Sequence, residues 1–136
     1  MPEFIPLISE QEIRDKIEIL GQQISSDYKN KDLLMVGILK GSFVFLSDLI
    51  RQISIDHEID LIGASSYKGT SSTGQIDLYK KPYLDLAGRD IVLVEDIVDS
   101  GRTLMKLIEM MSSLHPKSVK VCTLIDKHER REVKID

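Results

Sequence analysis

At 136 residues the chain is long enough for one domain with a real core and too short for two ordinary ones. An apolar fraction of 42%, a charged fraction of 29% and a net charge of −4 are those of an ordinary globular protein. They give no footprint of general nucleic-acid binding, so any phosphate site must be local. Ser9-Glu10-Gln11-Glu12 fits a capping box, and Ile13, Ile17, Leu20 and Ile24 follow at helical spacing, which predicts an amphipathic helix. "LLMVGIL" (Leu33 to Leu39) is apolar on both faces, as a strand buried in a parallel sheet should be. It runs into Lys40-Gly41-Ser42, and from there Phe45, Leu46, Leu49, Ile50 and Ile53 have helical period, with Ser42 as N-cap.

Ile59 to Ser66 reads as a second strand, followed by the loop-like "YKGTSSTG" (Tyr67 to Gly74) and a short return strand, Ile76 to Tyr79. Ile91 to Val94 is a further strand, and a helical stripe from Gly101 to Leu114 (Leu104, Leu107, Ile108, Met111, Leu114) stops before Pro116. Val119, Val121, Thr123 and Ile125 alternate as a last strand. The single cysteine, Cys122, lies in that strand and is expected to pack as a small buried hydrophobe. No stretch is long enough to cross a bilayer, and Met1 to Glu10 lacks the form of a signal peptide, so a cytoplasmic protein with no membrane partner is expected.

The alternation of strand and helix predicts an α/β fold, a doubly wound, mostly parallel sheet flanked by helices. In such sheets ligands bind beyond the carboxyl ends of the strands, and three polar clusters fall there: Lys40-Gly41-Ser42, Glu95 to Thr103, and Asp126-Lys127. Asp99-Ser100-Gly101-Arg102-Thr103 stands at a loop-to-helix junction, where free N–H groups, glycine and hydroxyls suit a phosphate monoester; simple helix capping is the plainer reading. Glu95 and Asp96 would repel a phosphate. They suit a ligand with vicinal hydroxyls or a divalent cation, or else an ordinary solvated strand end. Lys40-Gly41-Ser42 offers a second anion cradle without the spacing of a nucleoside-triphosphate loop. Lys127 alone reads as a solvated lysine. His57, His115 and His128 show no metal-ligand spacing with one another or with Cys122.

Together, "VLVEDIVDSGRTL" (Val92 to Leu104) resembles the phosphoribosyl-pyrophosphate-binding motif of the type I phosphoribosyltransferases. "GILKGSFVF" (Gly37 to Phe45) resembles the pyrophosphate loop of their hypoxanthine-guanine branch, "SSYKGTSSTG" (Ser65 to Gly74) its catalytic loop, and "LIDKHERR" (Leu124 to Arg131) its purine-contacting segment. The resemblance implies a Rossmann-like fold and purine salvage in the cytoplasm: transfer of the 5-phosphoribosyl group from phosphoribosyl pyrophosphate to hypoxanthine or guanine, giving IMP or GMP and pyrophosphate. It also implies Mg²⁺ as cofactor, a homodimer or homotetramer, and no nucleic-acid partner.

By the same resemblance, Asp99, Ser100, Gly101, Arg102 and Thr103 would hold the 5′-phosphate. Glu95 and Asp96 would take the ribose hydroxyls and the metal, directly or through water. Asp99 would also serve the purine N7 as general acid or base, and Lys127 would donate to the 6-oxo group. Leu39, Lys40 and Gly41, where the family has a cis peptide, would hold pyrophosphate, and Ser66 and Tyr67 would close over the reacting centre. Family members continue beyond the equivalent of Asp136 through a hood segment, so the expectation is one domain, residues 1–136, with that hood incomplete. Two alternatives stand beside this: a regulator of the same fold that binds phosphoribosyl pyrophosphate or nucleotide without catalysis, and a phosphoacceptor receiver domain.

Overall fold

The computed structural model describes residues 9–66, 76–98 and 102–126. In chain order the elements are α1 (Glu10–Asp27), β1 (Leu33–Leu39), α2 (Phe43–Ile50), β2 (His57–Ser66), β3 (Ile76–Lys80), β4 (Asp90–Val98), α3 (Arg102–Ser112) and β5 (Ser118–Asp126). The strands form one sheet in the order β3-β2-β1-β4-β5. All neighbouring pairs are parallel except β2 with β3, which is antiparallel and carries a register shift at Gly63/Ala64.

Side-chain alternation divides β1 between two cores. Leu33 and Met35, with Val92, Val94 and Cys122, pack against α1 (Ile17, Ile24) and α2 (Phe45, Leu46, Leu49). Leu34, Val36 and Ile38, with Ile91 and Leu93, pack against Leu104, Leu107 and Met111 of α3 on the other face. A strand covered on both faces has no polar position to offer, which is why "LLMVGIL" is apolar throughout. Cys122 is buried in the first core, and burial pushes its thiol pKa up to about 11, as suits a packing residue.

The winding reverses in the middle of the sheet. From β1 the chain crosses by α2 to β2 on one side, and from β4 it crosses by α3 to β5 on the other. Crossovers of one hand that travel in opposite directions must leave by opposite faces, and α2 and α3 do so. The crevice between the carboxyl ends of β1 and β4 is therefore the topological switch point.

At the other end of these strands, Arg89 binds Glu58 at 2.6 Å and Asp32 at 3.3 Å. Asp90 accepts from the Ser118 hydroxyl at 2.6 Å. In the hairpin layer, buried Asp60 on β2 accepts the amides of Leu61 (2.8 Å), Tyr83 (2.7 Å) and Leu84 (2.9 Å), which ties the β3–β4 connection to the sheet. The Arg89 and Asp90 contacts hold the strand ends away from the switch point, and Asp60 acts from within β2.

Several local expectations need correction. β4 extends past Val94 to Val98, because β5 keeps pairing with it as far as Val98 and Asp126. The acidic pair is therefore inside a strand rather than beyond one. The third helix runs from Arg102 to Ser112, ending short of Leu114. α2 stops at Ile50, although Ile53 is still buried. Ser9 caps α1 by accepting from the Glu12 amide at 3.1 Å, but the Glu12 carboxylate takes the Ser9 hydroxyl rather than completing the box through the Ser9 amide. Ser42 holds the N-cap position of α2 with no capping hydrogen bond; its hydroxyl turns back to β1.

Candidate active site

The β1–β4 ladder ends at Gly37 paired with Val94. Beyond it each strand continues only with its outer neighbour, β1 as far as Leu39 opposite Gly63 and β4 as far as Val98 opposite Asp126. The two inner edges thus separate at the switch point, and the residues that follow on each side are Leu39-Lys40-Gly41 and Glu95-Asp96.

The Leu39–Lys40 peptide is cis. Lys40 and Gly41 are exposed, whereas Ser42 directly behind them is fully buried. Across the crevice the Asp96 carboxylate approaches Gly41 so closely that a β-carbon there would lie 3.3 Å from both of its oxygens. The absence of a side chain at position 41 lets the loop and the carboxylate sit this close.

Asp96 is held from two directions. One carboxylate oxygen accepts the Ile97 amide at 2.9 Å, and its backbone carbonyl accepts the Thr123 hydroxyl of β5 at 3.3 Å. Glu95 accepts the Asp96 amide at 3.1 Å. Its carboxyl pKa is pushed up to about 8, first by burial and then by the neighbouring Asp96 carboxylate, through a side-chain hydrogen bond and like-charge repulsion. Two adjacent carboxylates, one of them discouraged from ionising, form a site of hard oxygen donors that hydroxyl groups or a divalent cation would relieve.

Arg102 and Thr103 open α3 in exposed positions, at the helix end that favours anions. The structure therefore brings the loop after β1, at Gly41, to Asp96, while Arg102 and Thr103 stand at the start of the helix that follows β4. Tyr67, Asp99, Ser100, Gly101 and Lys127 lie outside the described residues, as does the loop from Tyr67 to Gly74, and of Ser66 only the backbone, in register with Ile76, lies within them.

Thr123 has a position at the site that residue patterns did not reveal. Thr123 looked like an ordinary member of an alternating strand. Only the register that sets it opposite Glu95 shows its hydroxyl reaching the acidic pair. The acidic pair stands on β4, and β1 is followed by Lys40-Gly41; a receiver domain needs its acidic pair after the first strand, so that alternative is not favoured.

Comparison with known proteins agrees with this architecture. Residues 8–136 match the family model described as phosphoribosyl transferase domain. The chain is 46% identical over 132 residues to the hypoxanthine phosphoribosyltransferase of Escherichia coli strain K12, covering 95% of this chain and 74% of that relative. It is 44% identical over 131 residues to a hypoxanthine-guanine phosphoribosyltransferase of Streptococcus pyogenes, covering 96% and 73%. Among solved structures, a hypoxanthine-guanine phosphoribosyltransferase from Bacillus anthracis superposes with a TM-score of 0.93 at 42% identity, over all of this chain and 81% of that one. A hypoxanthine phosphoribosyltransferase from Staphylococcus aureus gives a TM-score of 0.91 at 39% identity, over 96% and 71%.

Proposed function

The chain belongs to the phosphoribosyl transferase family, and from that premise we propose that it is a purine-salvage enzyme, transferring the 5-phosphoribosyl group of phosphoribosyl pyrophosphate to hypoxanthine or guanine. The observation that carries this reading is the meeting of the loop after β1, at Gly41, with the Asp96 carboxylate across the switch point. An anion cradle set directly against paired carboxylates suits a ligand that is at once a pyrophosphate and a diol, and phosphoribosyl pyrophosphate is both.

In this reading the bond from the ribose anomeric carbon to pyrophosphate breaks with its electron pair going to the leaving group. Purine N9 then bonds to that carbon through its lone pair, and the base gives up its imidazole proton from N7 to Asp99. Glu95 and Asp96 accept from the two ribose hydroxyls and fix the sugar while positive charge develops on it. Leu39, Lys40 and Gly41 receive the departing pyrophosphate, where oriented backbone donors and a lysine stabilise growing negative charge. Asp99 to Thr103 anchor the 5′-phosphate at the start of α3, with Asp99 exchanging a proton at purine N7, and Lys127 donates to the 6-oxo group. Ser66 and Tyr67 close over the centre and exclude water.

Mg²⁺ fits the donor set, since Glu95 and Asp96 are adjacent hard oxygen ligands whose mutual repulsion a cation relieves. When bound it would neutralise charge on the pyrophosphate. Cytoplasmic residence and assembly as a homodimer or homotetramer complete the proposal; among the described residues no helix is long and apolar enough to cross a membrane.

The test is a Mg²⁺-dependent assay with phosphoribosyl pyrophosphate and each of hypoxanthine, guanine, xanthine and adenine, paired with calorimetric binding of phosphoribosyl pyrophosphate. Nucleotide formed from a 6-oxopurine but not from adenine is expected. Binding and turnover both absent with every base would refute the reading.

A further inference from the structure

We propose that Ser42 is a positioning residue for pyrophosphate: its buried hydroxyl holds the Leu39–Gly41 loop in the shape that receives the leaving group. This rests on the reading of that loop as the pyrophosphate site. At the N-cap position a serine oxygen ordinarily accepts an amide from the first turn of its helix. Here the bond runs the other way. Ser42 has helical backbone angles (φ −87, ψ −6), makes no capping bond, and donates its hydroxyl to the Ile38 carbonyl at 2.5 Å. Its own amide reaches the same carbonyl at 3.3 Å, so one oxygen receives two donors and closes Ile38 to Ser42 into a single turn.

The position of that carbonyl gives the bond its consequence. Ile38 lies past the last β1–β4 pair, so the inner edge of β1 has already left the ladder when the loop begins. The other bond across the turn, from the Phe43 amide to the Lys40 carbonyl, is long at 3.4 Å. Ser42 is 0% exposed, so bulk water has no open path to replace its hydroxyl. Gly41, the next residue toward solvent, already abuts Asp96, which means that a small rotation of the turn changes the distance between the anion cradle and the acidic pair. The serine is buried behind the loop and acts through it.

The test compares two ligands that share this site but differ at the pyrophosphate. Ser42→Ala removes the hydroxyl, and Ser42→Cys, with a somewhat larger side chain, keeps the site filled while offering only a weak donor, which guards against loss of folding from a cavity. In both, the dissociation constant of inorganic pyrophosphate with Mg²⁺ is expected to rise about fivefold to tenfold, the effect of losing one buried hydrogen bond. That of IMP, which has no pyrophosphate, should stay within about twofold. Without ligand, exchange of the Ser42 and Phe43 amides, which close the turn, should quicken in Ser42→Cys relative to the wild type.

Unchanged pyrophosphate affinity in a folded variant would overturn the assignment whatever the exchange rates do, as would equal weakening of both ligands. A wild-type protein that binds neither ligand would instead overturn the reading of the site itself.

Discussion

Gly41→Ala places one methyl group where the two halves of the site meet. Its β-carbon would stand 3.3 Å from both Asp96 carboxylate oxygens and 3.6 Å from the carboxyl carbon, so one side must give by a few tenths of an ångström. Asp96 cannot move freely, because one of its oxygens holds the Ile97 amide at 2.9 Å and its carbonyl takes the Thr123 hydroxyl. The loop cannot retreat freely either, since Ser42 anchors it to Ile38. A misplacement of about 1 Å in a catalytic constellation can cost about 100-fold, so a shift of about a third of that, scaled in proportion on the logarithm, costs about fivefold in kcat/KM for phosphoribosyl pyrophosphate.

Stability should barely change, by less than about 1 kcal/mol, because Gly41 is an exposed loop residue. In a chain of this length that is a fall in Tm of at most about 5 °C. Steady-state kinetics and a thermal melt on the same preparation separate the two effects. A double-mutant cycle with Asp96→Ala sharpens the test, since removing the carboxylate removes the collision and the alanine should then cost less than in the wild type. A folded Gly41→Ala with unchanged kcat/KM, or a penalty of equal size in the Asp96→Ala background, would refute the contact argument.

Further outcomes follow from the same geometry. Without Mg²⁺, the folded chain holds a proton on Glu95 up to about pH 8 whereas an unfolded chain releases it near 4.5, so stability should fall as pH rises through that window and level off above it. Glu95→Gln should flatten this slope in urea unfolding measured between pH 5 and 9; an unaltered slope would place its origin elsewhere. Gly37→Ala should lose about 1–3 kcal/mol, because a β-carbon there would lie 2.7 Å from Leu46 and 3.1 Å from Leu61 in a strand paired on both sides; chemical denaturation reads it. Asp60→Ala should cost about 3 kcal/mol by the same measurement, since the Leu61, Tyr83 and Leu84 amides lose a buried acceptor together. Asp99→Asn, nearly isosteric but unable to exchange a proton, should reduce kcat far more than phosphoribosyl pyrophosphate binding, and equal turnover would remove Asp99 from the acid–base role.

What the sequence made legible follows from which forces are local. Leu33 to Leu39 was readable as a doubly covered strand because burial on both faces acts on every residue in the run. The stripe of Leu104, Leu107 and Met111 was readable because one helix face meets one core. The continuation of β4 through Glu95 and Asp96 was hidden, since a strand is extended there by the partner that pairs with it, and β5 lies a helix away in the chain. Asp60 was hidden for a similar reason: an aspartate inside a strand looks unfavourable until the Tyr83 and Leu84 amides arrive to occupy it. Residue types alone gave no sign of the cis peptide; the likeness of Gly37 to Phe45 to a known loop supplied it, and the backbone has it.

The site itself arises from a mismatch of ladders rather than from any one motif. β1 and β4 are partners for only part of their length, Leu33 to Gly37 against Asp90 to Val94, while each stays paired to its outer neighbour beyond that point. Where the inner ladder stops, two strand edges have backbone groups to satisfy, and each does so locally: Ile38 takes the Ser42 hydroxyl and amide, and the Asp96 and Ile97 amides take neighbouring carboxylates. These local bonds fix the loop on one side and the acidic pair on the other before any ligand arrives. The gap that remains between them has a cradle for anions on one wall and acceptors for hydroxyls on the other. Closing it by one more β1–β4 pair would remove the binding site while leaving every motif in the sequence intact.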